Sequence, residues 1–182
     1  MVDILLVSET TVKSRTNIDD NVNGKLILPA IRSAQEEGLR EILGDKLLDK
    51  LKTLVSTGDI EQETNSWYKN LIVYSQDYLV YETVADVCML TTVKISNAGL
   101  EQVSDEKMES ISISDSYSVQ AWYQNKADFY CYRLQNYLIK NKVHFPELSS
   151  TKCRDISSNL MSSATCGLFL GGARGKGPSR RS

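Results

Sequence analysis

Few side chains in this sequence have chemistry to offer. Among 182 residues there is one histidine, His144. No pair of imidazoles can therefore hold a metal, and any Ser-His-Asp or Cys-His arrangement would have a single base to draw on. His144 lies in Lys142-Val143-His144-Phe145-Pro146, just past an expected helix end, where a cation is favoured by the helix dipole. That structural role is the simpler one. Cys88, Cys131, Cys153 and Cys166 are 43, 22 and 13 residues apart, whereas a zinc site needs closely spaced ligand pairs. Two of these cysteines fall in helical patterns, where a free thiol behaves as a small apolar group, and the usage suits a reducing, intracellular setting.

The remaining candidates are equally sparse. The acid pairs Asp19-Asp20, Glu36-Glu37 and Asp105-Glu106 are adjacent residues, which diverge on a helix, and they read as solvated surface. Gly175-Lys176 approaches a phosphate-binding loop, but the pattern needs Gly at 170 and Ser or Thr at 177. The chain has Leu170 and Gly177 there. No catalytic, cofactor-binding or metal-binding residue is assigned, and an enzyme is not expected.

Charge is more informative once it is divided. The net value is -2, from 21 basic and 23 acidic residues. Six of the basic residues and one acid fall in 151–182, so that stretch carries +5 and the residues before it carry -7. Such asymmetry points to an interacting end. An acidic body argues against a primary role in gripping nucleic acid, which needs a basic face. No apolar run approaches the ~20 residues of a membrane span, and Val2-Asp3-Ile4-Leu5-Leu6-Val7 is too short and too acidic at its front for a secretory signal.

The elements that must carry these groups are mostly helices. Leu5-Leu6-Val7 and Val12 suit either a short extended piece or a partial helix, followed by a turn-rich run to Gly24. A helix is expected from Leu26–Pro29, with Pro29 in its first turn. Its stripe is Ile27, Ile31, Ala34, then Leu39, Ile42, Leu43, with Gln35, Glu36, Glu37, Arg40 and Glu41 mostly on the wet side. Gly44 should end it as a left-handed cap, and Asp45 should cap a second helix carrying Leu47, Leu48, Leu51, Leu54 and Val55. From Thr64 to about Lys94 there is neither Gly nor Pro. Leu71, Tyr74, Tyr78, Tyr81, Ala85, Cys88, Thr92 and Ile95 form a heptad-like seam. Unbroken, this segment would be roughly 46 Å long, against a radius of gyration of roughly 16 Å for a compact domain of this size. Either the protein is elongated or the segment breaks near Ser75. Gly99–Val103 and Ser110–Ser114 alternate at period two and are expected to pair as a hairpin. A last helix should run from about Ser116 to Asn141 with Val119, Tyr123, Ala127, Tyr130, Leu134 and Leu138 on its stripe and Trp122 and Tyr137 beside it. All nine tyrosines and both tryptophans lie between Trp67 and Tyr137. They are either the core of the helix pair or, in part, outward anchors for a neighbouring subunit.

The C-terminal stretch has a different character. Residues 171–182 hold four of the ten glycines and four basic residues, a composition that builds no core of its own. It reads as an arm that docks on a partner. Arg174, Lys176, Arg180 and Arg181 would pair with acidic surfaces, and Leu168, Phe169 and Leu170 would fill a pocket. The alternative is a small helical nucleic-acid-binding protein gripping DNA through this tail.

The stretch Leu5-Leu6-Val7-Ser8-Glu9, then Val12-Lys13, Thr16-Asn17-Ile18-Asp19, Asn21-Val22, Leu28-Pro29-Ala30-Ile31, Ala34-Gln35 and Ile42-Leu43-Gly44-Asp45-Lys46-Leu47 resembles the opening of head-to-tail connector proteins. These are the adaptor or head-completion subunits of tailed bacteriophages. The chain looks most like the neck ring proteins of crAss-like phages that infect gut Bacteroidales. The resemblance covers about residues 1–145 and is sharpest from Ala34-Gln35 to Ile42-Leu43-Gly44. It implies a non-enzymatic virion protein made in the host bacterial cytoplasm. About a dozen copies would form a homo-oligomeric ring between the portal protein and the next neck ring or tail protein. Genomic DNA would pass through the lumen without specific binding, and no membrane would be involved.

The expected architecture is thus mainly α: a long-helix bundle with a small β-hairpin excursion and an extended C-terminal arm. The helical connector domain would occupy 1–148, with an N-terminal segment at 1–23 and the β-excursion at 95–114, and the basic arm 149–182.

Overall fold

A computed structural model of the chain describes residues 4–96, 99–102 and 112–149. They are mainly helical. Helix α1 (Glu9–Arg15) begins at Ser8, whose hydroxyl accepts the Thr11 N–H at 3.1 Å. Asn23 starts α2 (Gly24–Ser33) in the same way, accepting the Lys25 N–H at 3.0 Å. Both side chains satisfy an amide that a first helical turn leaves open. Pro29 falls inside α2, one turn later than expected, on an exposed face.

The chain then widens into a π-helical turn, Ala34–Leu39, before resuming as α3 (Arg40–Leu43). The cause lies in the stripe itself. Its step from Ala34 to Leu39 is five residues, and a π turn brings both back to one face. Ala34, Leu39, Ile42 and Leu43 are all buried. Gly44 makes the corner at φ 76°, ψ 160°. This is an extended conformation at positive φ, not the left-handed helical one expected, but equally one that only glycine enters freely. Gly44 also takes the cap position of α4 (Asp45–Thr57), so Asp45 sits in the first turn and not before it. Gly58, at φ 76°, ψ 2°, ends α4.

Helix α5 (Ser66–Thr92) is a single helix of 27 residues, about 40 Å long. Ser75 does not break it. That side chain is buried, and its hydroxyl donates to the Leu71 carbonyl at 2.9 Å inside the helix. Leu71, Tyr78, Leu79, Val80, Val84, Ala85 and Val87 are buried at positions all round the helix, as expected of a central helix. Helix α6 (Ile113–Lys140) packs along one side of it, and α1, α2 and the π turn pack on the others.

Beyond α5 the chain enters β1 (Val93–Ser96), which pairs antiparallel with β2 (Gly99–Gln102), Val93 opposite Gln102 and Ser96 opposite Gly99. The expected pairing of 99–103 with 110–114 is not this ladder. Ile113 and Ser114 belong to α6. Ser112 caps that helix, accepting the Asp115 N–H at 3.2 Å and donating to its carboxylate at 2.7 Å. This Ser-x-x-Asp reciprocal cap overrides the short apolar alternation.

α5 and α6 run antiparallel with rings stacked at seven-residue intervals. Trp67 lies on His144 at 3.9 Å between centroids, Tyr74 on Tyr137 at 4.6 Å and Tyr81 on Tyr130 at 5.0 Å. Tyr137 and Tyr68 also meet Phe145, which is buried after the helix end.

Two side-chain amides hold the N-terminal segment. Gln35, expected on the wet side, has no exposed surface. Its oxygen accepts the Leu6 N–H at 2.8 Å, and its amide donates to the Ile4 carbonyl at 2.9 Å. Gln76 of α5 donates to the Leu6 carbonyl at 2.8 Å. Glu36 is likewise not simply solvated. It accepts from Arg40 and Lys52, and Arg40 also binds Asp45 across the Gly44 corner. Burial pushes the Glu36 carboxyl up, but its hydrogen bonds with Lys52, Arg40 and Gln35 outweigh this and hold it at about 2.

Two predictions follow from this packing. A Cβ at position 38 would land on the Tyr78 hydroxyl, so Gly38→Ala should cost about 1–3 kcal/mol. It should cost clearly less in a Tyr78→Phe background. Denaturant unfolding of the four variants measures this, and an absence of coupling would mean that the hydroxyl is not what Gly38 makes room for. For Glu36, the folded value lies below the ordinary 4.5. Its contribution is therefore fully present above that pH and is lost as pH falls towards 2. Glu36→Gln should lower stability by about 1–2 kcal/mol near neutrality. The difference between variant and parent should shrink below pH 4.5, as thermal melts across a pH series would show.

Candidate interaction surface

α6 has two apolar faces, and the fold uses one. Tyr123, Ala127, Leu134 and Leu138 are buried against the body, with Tyr130, Cys131 and Tyr137 half-buried beside them. On the opposite side Trp122, Phe129, Tyr132 and Ile139 are 54%, 58%, 60% and 56% exposed. Asn125, also exposed, and Asn136, half-buried, lie between them. Single exposed apolar residues are ordinary, but a line of them along one helix marks a surface built for contact. Val119, placed on the buried stripe by its spacing, is 42% exposed.

Basic side chains border this face. Lys126 Nζ lies 4.2 Å from the Trp122 ring centroid and 5.4 Å from that of Tyr81. The Arg133 guanidinium sits 5.5 Å from both Tyr74 and Tyr130. These cation–π contacts anchor the charged groups on the edge of the ring stack. Near the start of α6, a groove of about 720 Å³ opens between α6 and the end of α1, lined by Arg15, Asn17, Tyr81, Val119, Trp122 and Lys126 among others. Its rim is fixed by Arg15 bound to Asp77 at 3.0 Å and by Tyr123 donating to the Asn17 side chain.

The groups singled out for chemistry do not converge. His144 is stacked on Trp67. Cys88 and Cys131 are half-buried and outside any disulfide, and burial pushes the Cys88 thiol up, away from the reactive thiolate. Asp19 is exposed, its carboxylate accepting the Asn21 N–H at 2.7 Å. Among the described residues, no group of three or more His, Cys, Asp or Glu could hold a metal ion. Likewise, no helix among them is long and apolar enough to cross a membrane. On α5, burial raises the Glu82 and Asp86 carboxyls, and Gln124 donates to Glu82 at 3.1 Å. This is a helix-to-helix contact rather than a catalytic pair. Leu168, Phe169, Leu170, Arg174, Lys176, Arg180 and Arg181, the expected docking arm, lie outside the described residues, as do Cys153, Cys166 and Asp105-Glu106.

The signal for the outer face of α6 is present in the sequence: Trp122, Phe129, Tyr132 and Ile139 recur at helical spacing beside the buried stripe, a second set that one stripe per helix leaves out.

Residues 39–158 match the family model DUF6712, described as a family of unknown function. The match spans about two thirds of the chain, from the end of the π turn through α6, and the chain belongs to that family. No curated protein and no solved structure matches it.

The two faces of α6 should respond differently to truncation. Tyr81→Ala, which removes a stacked ring from the helix pair, should cost about 3 kcal/mol. Tyr132→Ser, in protein dilute enough to be monomeric, should stay within about 0.5 kcal/mol. Comparable losses at the two positions in chemical unfolding would contradict the assignment of an unused outer face.

Proposed function

We propose that this member of the DUF6712 family is a structural virion protein, a subunit of a ring in a bacteriophage neck. It joins the portal to the next neck or tail component and extends the DNA channel. The structural observation that supports this reading is the outer face of α6, whose exposed large apolar side chains mark the chain as part of a larger assembly without being the contact that closes the ring. The resemblance of residues 1–145 to connector proteins supplies the setting. The order of elements is compatible with it: a helical corner, a long helix, a short ladder, a second long helix and a basic C-terminal stretch.

In this reading the protein works by geometry and charge. A ring repeats a contact between unlike faces until it closes. A body carrying -7 and repeated around a channel neutralises few phosphates, so DNA passes without being gripped. The arm at 149–182, through Leu168–Leu170 and the four basic residues after them, docks on the portal or an adjacent ring.

Mass photometry and electron microscopy of the purified chain with its portal protein test this. A closed ring seated on the portal is expected. Removing residues 167–182 should leave the circular dichroism spectrum and melting temperature unchanged while abolishing stable docking. Truncated protein that docks as well as the full chain would refute the role of the arm. A chain that neither forms rings nor binds portal, but binds duplex DNA with a steep salt dependence, would favour nucleic-acid binding instead.

A further inference from the structure

The outer face of α6 is a regular seam. Trp122, Asn125, Phe129, Tyr132, Asn136 and Ile139 step by 3, 4, 3, 4 and 3 residues, the spacing of the inner positions of a two-helix coiled coil. The residues packed on the body, Tyr123, Ala127, Tyr130, Leu134, Tyr137 and Leu138, occupy the complementary positions of the same heptads. α6 therefore carries two seams on opposite sides, one filled by α5. We infer that the second seam is filled by α6 of a second copy of this chain, packed in parallel about a two-fold axis.

Area, charge and register identify the occupant. With more than half of Trp122, Phe129, Tyr132 and Ile139 exposed, the seam presents on the order of 450 Å² of apolar side chain. A stable interface buries about 800 Å² per partner, a little over half of it apolar. The seam thus supplies the apolar share of one such interface. Elsewhere among the described residues the large exposed apolar side chains are Leu28 on α2, Trp67, Val73 and Leu90 on three different turns of α5, Tyr117 and Val119 in the first turns of α6, and Val143 after its end, with no second line to match it. The patch is best complemented by itself.

Charge sets the direction. Lys126, Arg133 and Lys140 border one side of the seam, seven residues apart, and Asp128 and Gln135 border the other. In a parallel pair each basic border faces the other helix's opposite border, and Asp128 of one copy meets Arg133 of the second, in both directions. In an antiparallel pair the two basic borders would face each other, with Lys126 against Arg133. Like charges across an interface are unfavourable. In the parallel register Asn125 and Asn136 each meet their own counterpart, and a buried amide pair fixes alignment, at some cost in stability.

This contact differs from the one a ring repeats, because it closes on two copies. It does not depend on the ring reading. Combined with it, the pair becomes the building unit and the copy number is even.

Analytical ultracentrifugation of the full chain tests the pair without portal. A dimer is expected at ~10 µM. Phe129→Asp and Tyr132→Asp should weaken it by roughly 100-fold or more, with melting profiles that show a folded monomer. Asn125→Cys alone should give a covalent dimer on mild oxidation, since the two copies of position 125 face each other. A monomeric parent chain, or a dimer that persists in Phe129→Asp, would overturn the inference. A link that forms only when Asn125→Cys is combined with Asn136→Cys would replace the parallel pair with an antiparallel one. A monomer in which Asn125→Cys joins Cys153 or Cys166 would give the seam to the chain's own C-terminal segment. Loss of portal docking with the dimer intact would sink the ring reading and leave this one standing. The reverse result would do the opposite.

Discussion

From Tyr78 to Val87 α5 has no exposed side, and the rest of the molecule is arranged around that constraint. A helix buried all round must be covered by other elements. α6 covers one side, and α1, α2 and the π turn cover the others. The enclosure explains features that look unrelated. The π turn keeps Ile31 and Leu39 on the same inward face, Gly38 leaves room for the Tyr78 hydroxyl, and Gln35 and Gln76 bind the non-helical backbone at Leu6. Once α5 is satisfied, the apolar positions left in a continuous line are those on the far side of α6.

Much of this was readable from residue spacing. The long helices, the Gly44 corner and the buried stripes of α2, α4 and α6 follow from periodicity and from Gly and Pro placement. The five-residue step from Ala34 to Leu39 was visible too, but a π turn is so uncommon that the step reads as a gap. Gln35 was assigned to the wet face because its type is polar. Its burial depends on a partner 29 residues away, which no local pattern encodes. His144 shows the same limit, since its stacking on Trp67 joins the two ends of the helix pair. Of the expected pairing of 99–103 with 110–114, Val103, Ser110 and Ile111 lie outside the described residues, and residues 112–114 are taken by α6 and its cap, where Ser112 and Asp115 bond to each other.

The site was less legible than the fold because the outer face of α6 has the same residue types as a helix core, while the chain end differs in composition. Arg174, Lys176, Arg180 and Arg181 stand out by type, whereas Phe129 and Tyr132 look like ordinary helix-core residues until the three-dimensional arrangement shows which side is already occupied. A single helix can serve a core and a contact surface at once when its apolar positions fall in two sets on opposite sides. Aromatic content alone does not separate the two uses.

The ring stack between α5 and α6 has a consequence for how this fold can change length. Its rungs, 67 with 144, 74 with 137 and 81 with 130, advance by seven along α5 and retreat by seven along α6 and the short turn after it. Inserting one residue in α5 turns everything beyond it by about 100°, which would swing a ring out of the stack and put Val73 or Val80 in its place. Only a gain or loss of a whole heptad in both helices together leaves the stack and the outer face of α6 aligned. The hairpin is quantised, free to grow or shrink in steps of about 10 Å and in none between.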